Sequence, residues 1–227
     1  MKNMIAYHGK KSLKTNTMKI VETHRLADTL QQRMIGQDGK GCAVWCTVGA
    51  YRHDDYETKL GIPVELAVFE DRIFESLPVA AAKLWPSQFL GAIQPGADLS
   101  LVFPQLYYWI WTNPEIGIMR HVTDDEERVI LEEGLGIFAR WGAGNKPSET
   151  EFRKAIEKLR DLARALARAL DLALALARAR DLALALARAL DLALDRARAL
   201  DRPKFYAAVA AKMVELLAAA PIAEAVE

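Results

Sequence analysis

The chain has 227 residues, enough for one large domain or for one domain with an extension. Hydrophobic residues make up 52% of it, which argues against intrinsic disorder. Its 30 basic and 30 acidic residues balance, so the composition indicates no general polyanion-binding surface. Lysines interrupt residues 1–20, so no signal peptide is expected, and two cysteines do not make a disulfide framework. We therefore expect a soluble, cytoplasmic protein.

The charge is unevenly distributed along the chain. Residues 1–40 carry eight basic and three acidic side chains, net +5, whereas residues 54–75 carry seven acidic and two basic ones, net −5. These two segments are expected to face each other. A basic first helix could also contact a phosphate backbone, but aromatic side chains do not alternate with its lysines. Nucleic acid is therefore not an expected partner.

The N-terminal half is predicted to be helical. Residues 1–9 are expected to form a loose lead-in. A helix is predicted over residues 12–34, because apolar side chains recur there at helical spacing and Gly36 follows them. Pro63 is expected to open another helix, with Asp71 and Glu75 on its solvated face beside Arg72.

The segment around the two cysteines has the most unusual sequence, QDGKGCAVWC over residues 37–46. Asp38 is predicted to be the N-cap of a short helix, and Gly39 and Gly41 free the backbone before it. On that helix Cys42 and Cys46 are four residues apart and share a face.

Four hypotheses describe this segment. The thiols are small buried apolar groups, or Cys42 has a lowered pKa near Lys40 and the helix N-terminus and acts as a nucleophile or redox thiol. Alternatively, the cysteines form half of a metal site with a histidine, or the Gly-Lys-Gly turn binds an anion. The candidate catalytic residues are Cys42, Cys46 and a base. That base is His53 or His8, and His24 is a further candidate metal ligand.

Several segments resemble those of an uncharacterised family of bacterial and phage-borne proteins. They are residues 39–44 (GKGCAV), 60–63 (LGIP), 69–75 (FEDRIFE), 85–93 (WPSQFLGAI) and 96–100 (GADLS). The resemblance covers about residues 5–120, and Trp45 departs from it, since the family has glycine there. The family brings no established activity, so the resemblance implies a shared fold and no particular chemistry.

The region from residue 85 to residue 147 is predicted to be helical, with a linker at its end. Residues 85–93 form a short helix, and the aromatic run of residues 99–111 is expected to be core, with Pro104 separating two helical segments. A capping box at residues 123–126 starts the next helix. Residues 142–147 are the predicted linker between a domain of residues 1–141 and a tail of residues 148–227.

Residues 148–202 are predicted to form one long helix, because they contain neither glycine nor proline and consist mainly of Ala, Leu, Arg and Asp. Ser148 and Glu151 form its capping box. From Asp161 the sequence repeats every ten residues, and each repeat is turned by about 80° from the last, which excludes a heptad coiled coil. No charge-free window is long enough to cross a membrane. Leucine on all sides indicates self-association or a protein partner.

The last predicted helix begins at Pro203 and is amphipathic. The expected fold is thus all-α: a multi-helix N-terminal domain, a long Ala/Leu-rich helix and a closing amphipathic helix. The expected function is a non-catalytic helical interaction or scaffold protein, without cofactor or metal. The alternative is a thiol-dependent enzyme or redox protein that uses Cys42 with Cys46.

Overall fold

In a computed structural model the chain is predominantly α-helical, which confirms the predicted all-α class. The structure describes residues 5–122, 124–154, 157 and 202–223. Most of the predicted long helix, including its ten-residue repeats, lies outside these residues. Its beginning has the predicted capping box: the Glu151 N–H donates to Ser148 Oγ at 3.2 Å, and the Ser148 N–H donates to Glu151 Oε2 at 2.8 Å.

The chain divides into a first unit of Met1–Val102 with Asp201–Glu227 and a second unit of Phe103–Leu200. The first unit contains a 3-10 turn (Ala6–Gly9), α1 (Lys11–Leu26), β1 (Ile35–Gln37), β2 (Lys40–Gly41), α2 (Ala43–Val48), a π-helical turn (Tyr56–Leu60), α3 (Val64–Ser76), α4 (Val79–Ala82) and α5 (Trp85–Ala92). Next come α6 (Val102–Thr112), a 3-10 turn (Ile118–His121) and α7 (Asp125–Gly142), and α8 (Arg202–Ala219) returns to the first unit. None of the described helices is long and apolar enough to cross a membrane.

The closing helix α8 belongs to the first unit, whereas the predicted division into residues 1–141 and 148–227 grouped it with the tail. It packs against α3 and α5. Beyond it, the Asp98 N–H donates to the Pro221 carbonyl at 2.8 Å, and the Ala223 N–H donates to the Gly96 carbonyl at 2.9 Å. An apolar helical stripe needs a surface to cover it. The buried stripe of α8 comprises Phe205, Tyr206, Val209, Ala210, Met213 and Leu217.

Residues 5–9 are structured, contrary to the loose lead-in predicted for residues 1–9, of which residues 1–4 lie outside the described residues. Tyr7 and His8 have left-handed φ angles of 52° and 49°, and Gly9 continues the turn. Tyr7 is fully buried, and its neighbour Ala6 donates a backbone hydrogen bond of 3.0 Å to the Ala97 carbonyl. Burial of the tyrosine ring offsets the cost of the left-handed backbone.

The first helix ends at Leu26, eight residues before the predicted end at Met34, and the chain then turns into a β-hairpin. Asp28 has a left-handed φ of 55°. In the hairpin, β1 pairs antiparallel with β2 across Asp38 and Gly39, whose φ angles of 52° and 74° are those of a type I′ turn. Asp38 is therefore a hairpin residue, and the predicted N-cap role for it is wrong.

Trp45 packs over the two glycines that flank this turn. A Cβ added at Gly36 would lie 2.2 Å from Trp45 Nε1, and one added at Gly41 would lie 2.5 Å from Cε3. His24 meets the indole edge-on, with ring centroids 5.4 Å apart. The indole thus joins α1, the hairpin and α2, and it requires glycine at positions 36 and 41.

Aromatic side chains form the core of the described part of the second unit. The ring centroids of Tyr107 and Phe138 are 4.4 Å apart, and those of Trp141 and Phe152 are 5.4 Å apart. This agrees with the predicted core role of the aromatic run, although Tyr108 is exposed.

Two local predictions for this unit need adjustment. Pro104 lies inside the first turn of α6, where a missing N–H costs no helical hydrogen bond, so it does not divide the helix. The N-cap of α7 is Asp124, one residue after the predicted start of the capping box. Its side chain accepts a hydrogen bond of 2.8 Å from the Glu127 N–H.

Candidate functional site

The three predicted catalytic residues lie in the core of the first unit. Cys42 immediately precedes α2 and Cys46 lies on it, and each is 1% exposed. His53 is 6% exposed and lies in the loop of residues 49–55, which connects α2 to the π-helical turn. The fold therefore encloses all three of these residues.

Asp71 of α3 connects this loop to the helix. Its Oδ2 accepts a hydrogen bond of 3.2 Å from the Tyr51 hydroxyl and lies 3.4 Å from His53 Nε2. The charge of Asp71 also acts on Cys42, whose pKa it raises. The loop of residues 49–55, the residue before α2 and α3 itself therefore meet at one carboxylate, which is 7% exposed.

Glu70 is the neighbouring carboxyl and is fully buried. Its Oε2 accepts a hydrogen bond of 3.4 Å from the Tyr56 hydroxyl, and the Trp85 indole N–H donates to its backbone carbonyl at 2.9 Å. Oε1 of Glu70 and Oδ1 of Asp71 are buried and have no hydrogen-bond partner within the described structure. Unsatisfied buried oxygens are rare in folded proteins and require an explanation. We call Cys42, Tyr51, His53, Tyr56, Glu70 and Asp71 the carboxylate cluster.

Burial keeps most of this cluster in its neutral form. It raises the pKa of Glu70 well above the ordinary value, and the charge of Asp71 raises it further. Burial likewise raises the pKa values of Tyr51 and Tyr56, so both phenols remain hydrogen-bond donors. Burial and the neighbouring charge of Asp71 therefore both favour the protonated form of Glu70.

The two thiols are also held in their neutral form. Burial raises the pKa of Cys42, and Asp71 adds to this, while the Trp45 backbone at the start of α2 acts in the opposite direction. Burial and the charge of Glu70 raise the pKa of Cys46 to about 12. The Cys46 Sγ lies 3.4 Å from the Gly41 carbonyl, to which it donates. The backbone at the helix N-terminus opposes this shift, but burial outweighs it, so the pKa of Cys42 is raised and the predicted lowering is wrong.

The other predicted ligands lie apart from the cluster. His8 is exposed, and a Cβ added at Gly61 would lie 3.3 Å from its Nδ1. The ring of His24 lies 2.8 Å from Thr29 Oγ1. Within the described residues, no three His, Cys, Asp or Glu side chains are grouped to hold a metal ion. The Gly-Lys-Gly turn belongs to the β-hairpin rather than to a helix N-terminus.

Sequence reasoning missed four members of the cluster, namely Tyr51, Tyr56, Glu70 and Asp71. A signal for Glu70 was present: it follows Leu66 by four residues and precedes Phe74 by four, so it lies on the apolar stripe of α3. Asp71 was expected on a solvated face, yet it is buried because the loop of residues 49–55 covers it. Helical periodicity alone does not show such a covering loop.

Comparisons with protein-family models, curated proteins and solved structures find no match for this chain. The function must therefore be argued from the cluster and the surfaces themselves.

Proposed function

We propose that the protein is a non-catalytic helical interaction or scaffold protein. The observation that carries the proposal is the enclosure of the predicted nucleophile and base: Cys42, Cys46 and His53 are all buried. Because burial disfavours the thiolate, which is the nucleophilic form of cysteine, these thiols act as core groups.

Exposed apolar side chains support a role in binding. In the first unit, Leu26 at the end of α1 is 71% exposed and Val79 at the start of α4 is 63% exposed. Val79 lines a groove of about 440 Å³ between residues 28–33 and α4. Contiguous exposed apolar surface is typical of sites where a protein binds a partner.

The proposal includes self-association or protein binding through the Ala/Leu-rich residues 148–202. It rests there on the sequence, since leucines wind around the predicted helix and need neighbours on several sides. The two free thiols favour a reducing, cytoplasmic location. The proposal includes membership of the bacterial and phage-borne family that the sequence resembles, and that family suggests no activity.

Light scattering coupled to size-exclusion chromatography tests self-association. The matched variant lacks two of the ten-residue repeats, residues 171–190, and keeps α8, which the first unit needs for its core. The full chain is expected to exceed its monomer mass of 25.3 kDa, and the deletion is expected to reduce the number of chains in each particle. A full chain that stays monomeric at every concentration contradicts self-association.

A second candidate function is thiol-dependent catalysis at Cys42. The observation that favours it is that Asp71 Oδ2 lies 3.4 Å from His53 Nε2, as an orienting carboxylate does beside the base of a nucleophile–base–acid arrangement. If His53 activates the thiol, the variant His53→Gln reacts more slowly with a maleimide at Cys42. Equal rates in the variant and the natural chain exclude this function.

A further inference from the structure

The two neighbouring carboxyls of α3 hold together three segments of the first unit. Asp71 accepts from Tyr51 and lies beside His53, both of the loop of residues 49–55. Glu70 accepts from Tyr56, at the start of the π-helical turn. The N-terminal side of α2 completes the cluster with Cys42.

This arrangement has too few donors for two negative charges. The Tyr56 hydroxyl serves Glu70, the Tyr51 hydroxyl and the His53 ring share one oxygen of Asp71, and the other oxygen of each carboxyl has no partner within the described structure. The other ionisable group that acts on Glu70 and Asp71 from their own helix is Glu75, which is also an acid. The nearby cations Arg33 and Arg72 act on Glu75. Two adjacent buried carboxylates are therefore unfavourable, and one bound proton relieves the repulsion.

We propose that Glu70 and Asp71 form a proton-held latch. One bound proton keeps the loop of residues 49–55 and the start of α2 closed against α3, and release of that proton to solvent opens them. This inference goes beyond the proposed interaction function and does not depend on it.

Glu70 is the group from which the proton leaves. The ionisable side chains that surround the two carboxyls are Cys42 and Cys46 from α2, Tyr51, His53 and Tyr56 from the loop and the π-helical turn, and Glu75 from α3. Burial raises the pKa values of the thiols and phenols from values that are already alkaline. A carboxylic acid is intrinsically a much stronger acid than a thiol or a phenol, so the proton that is released is assigned to Glu70.

Opening has a direct physical cause. Once Glu70 is ionised, each carboxylate needs additional hydrogen-bond donors, and water is the available one. Tyr51 is the exposed member of the cluster, at 45%, and it donates to Asp71, so displacement of the Tyr51 side chain opens Asp71 to water. The latch is closed while Glu70 carries its proton, and rising pH favours its opening.

Amide hydrogen exchange of residues 49–56, corrected for the intrinsic pH dependence of exchange, tests the latch. For an opening linked to one proton, protection falls about tenfold for each pH unit between the ordinary pKa that Glu70 has in the open state and its raised pKa in the closed state, and it levels off above the latter. Residues 205–213 of α8 serve as an internal reference, because local opening leaves their protection unchanged.

Three variants make the test specific. Glu70→Gln is expected to abolish the pH-dependent loss of protection in residues 49–56, and Asp71→Asn is expected to reduce it. Glu75→Gln, on the same helix but half-buried, is expected to retain it. Equal pH dependence in the natural chain and Glu70→Gln overturns the proposal, as does a parallel loss of protection in α8. Should Glu70→Gln fail to fold, unchanged pH dependence in Asp71→Asn overturns it instead.

Discussion

The hydroxyl of Tyr7 donates a hydrogen bond of 2.8 Å to the backbone carbonyl of Leu90, which lies 83 residues further along the chain. The bond fastens the left-handed turn at the N-terminus to the end of α5. It shows that the Tyr7 side chain is part of the core of the first unit.

Replacement of Tyr7 by Phe removes this bond and keeps the ring. We expect Tyr7→Phe to lower the free energy of unfolding by about 1–2 kcal/mol, because a buried acceptor loses its donor. Urea unfolding measures the change. Tyr108→Phe is the control, since Tyr108 is exposed, and it should change stability by less than about 0.5 kcal/mol.

The contact between Trp45 and the hairpin glycines predicts a second stability effect. In Gly41→Ala the new Cβ would lie 2.5 Å from the indole, so the ring must move, at a cost of about 1–3 kcal/mol. The double variant with Trp45→Ala should recover part of this loss, and a double-mutant cycle measures the coupling. Purely additive effects would contradict the clash.

A matched glycine substitution provides the control. Gly136 lies inside α7, and a Cβ added there would meet no atom within 4 Å. Gly136→Ala should therefore stabilise the protein, by about 0.5–1 kcal/mol, because alanine favours the helix.

The raised pKa of Glu70 predicts how stability depends on pH. A folded-state pKa above the unfolded value means that the stabilisation is complete below the unfolded pKa and is lost as the pH rises through the folded pKa. Above pH 4.5, the ordinary value, the natural chain should therefore lose about 1.4 kcal/mol per pH unit relative to Glu70→Gln, until the pH passes the raised pKa. Urea unfolding across pH checks the sign. A relative gain in stability would refute the assignment of a buried acid.

The docking of α8 predicts a large effect at its apolar face. Phe205 is 1% exposed, so Phe205→Ala should cost about 3–5 kcal/mol and destabilise the first unit, although it lies more than one hundred residues from α5 in sequence. Ala207→Ser, on the exposed face of the same helix, is the control. Similar thermal unfolding of both variants would argue against the packing of α8 on α3 and α5.

Local signals in the sequence were sufficient for many elements. Apolar residues that recur at helical spacing predicted α3, α5, α7 and α8. The Ser148–Glu151 capping box forms as expected. These features depend on neighbours within one or two helical turns, which a sequence displays directly.

Features that depend on distant residues were not found. Asp38 and Gly39 suit both a helix N-cap and a type I′ turn, and the choice depends on whether β1 has a strand to pair with. The burial of Asp71 depends on the loop that covers it, and the place of α8 depends on a surface formed by α3 and α5. These features are determined by tertiary packing, which local sequence patterns do not display.

The central claim is that the core encloses Cys42 together with the carboxyls of Glu70 and Asp71, so that this thiol is not a reaction centre. The rate of alkylation of Cys42 by iodoacetamide at neutral pH, followed by mass spectrometry in the native and the urea-unfolded chain, tests it most directly. We predict that the native thiol reacts at least about tenfold more slowly than the unfolded one, because burial limits both access and ionisation. A native Cys42 that reacts as fast as the unfolded thiol, or faster, would contradict the account.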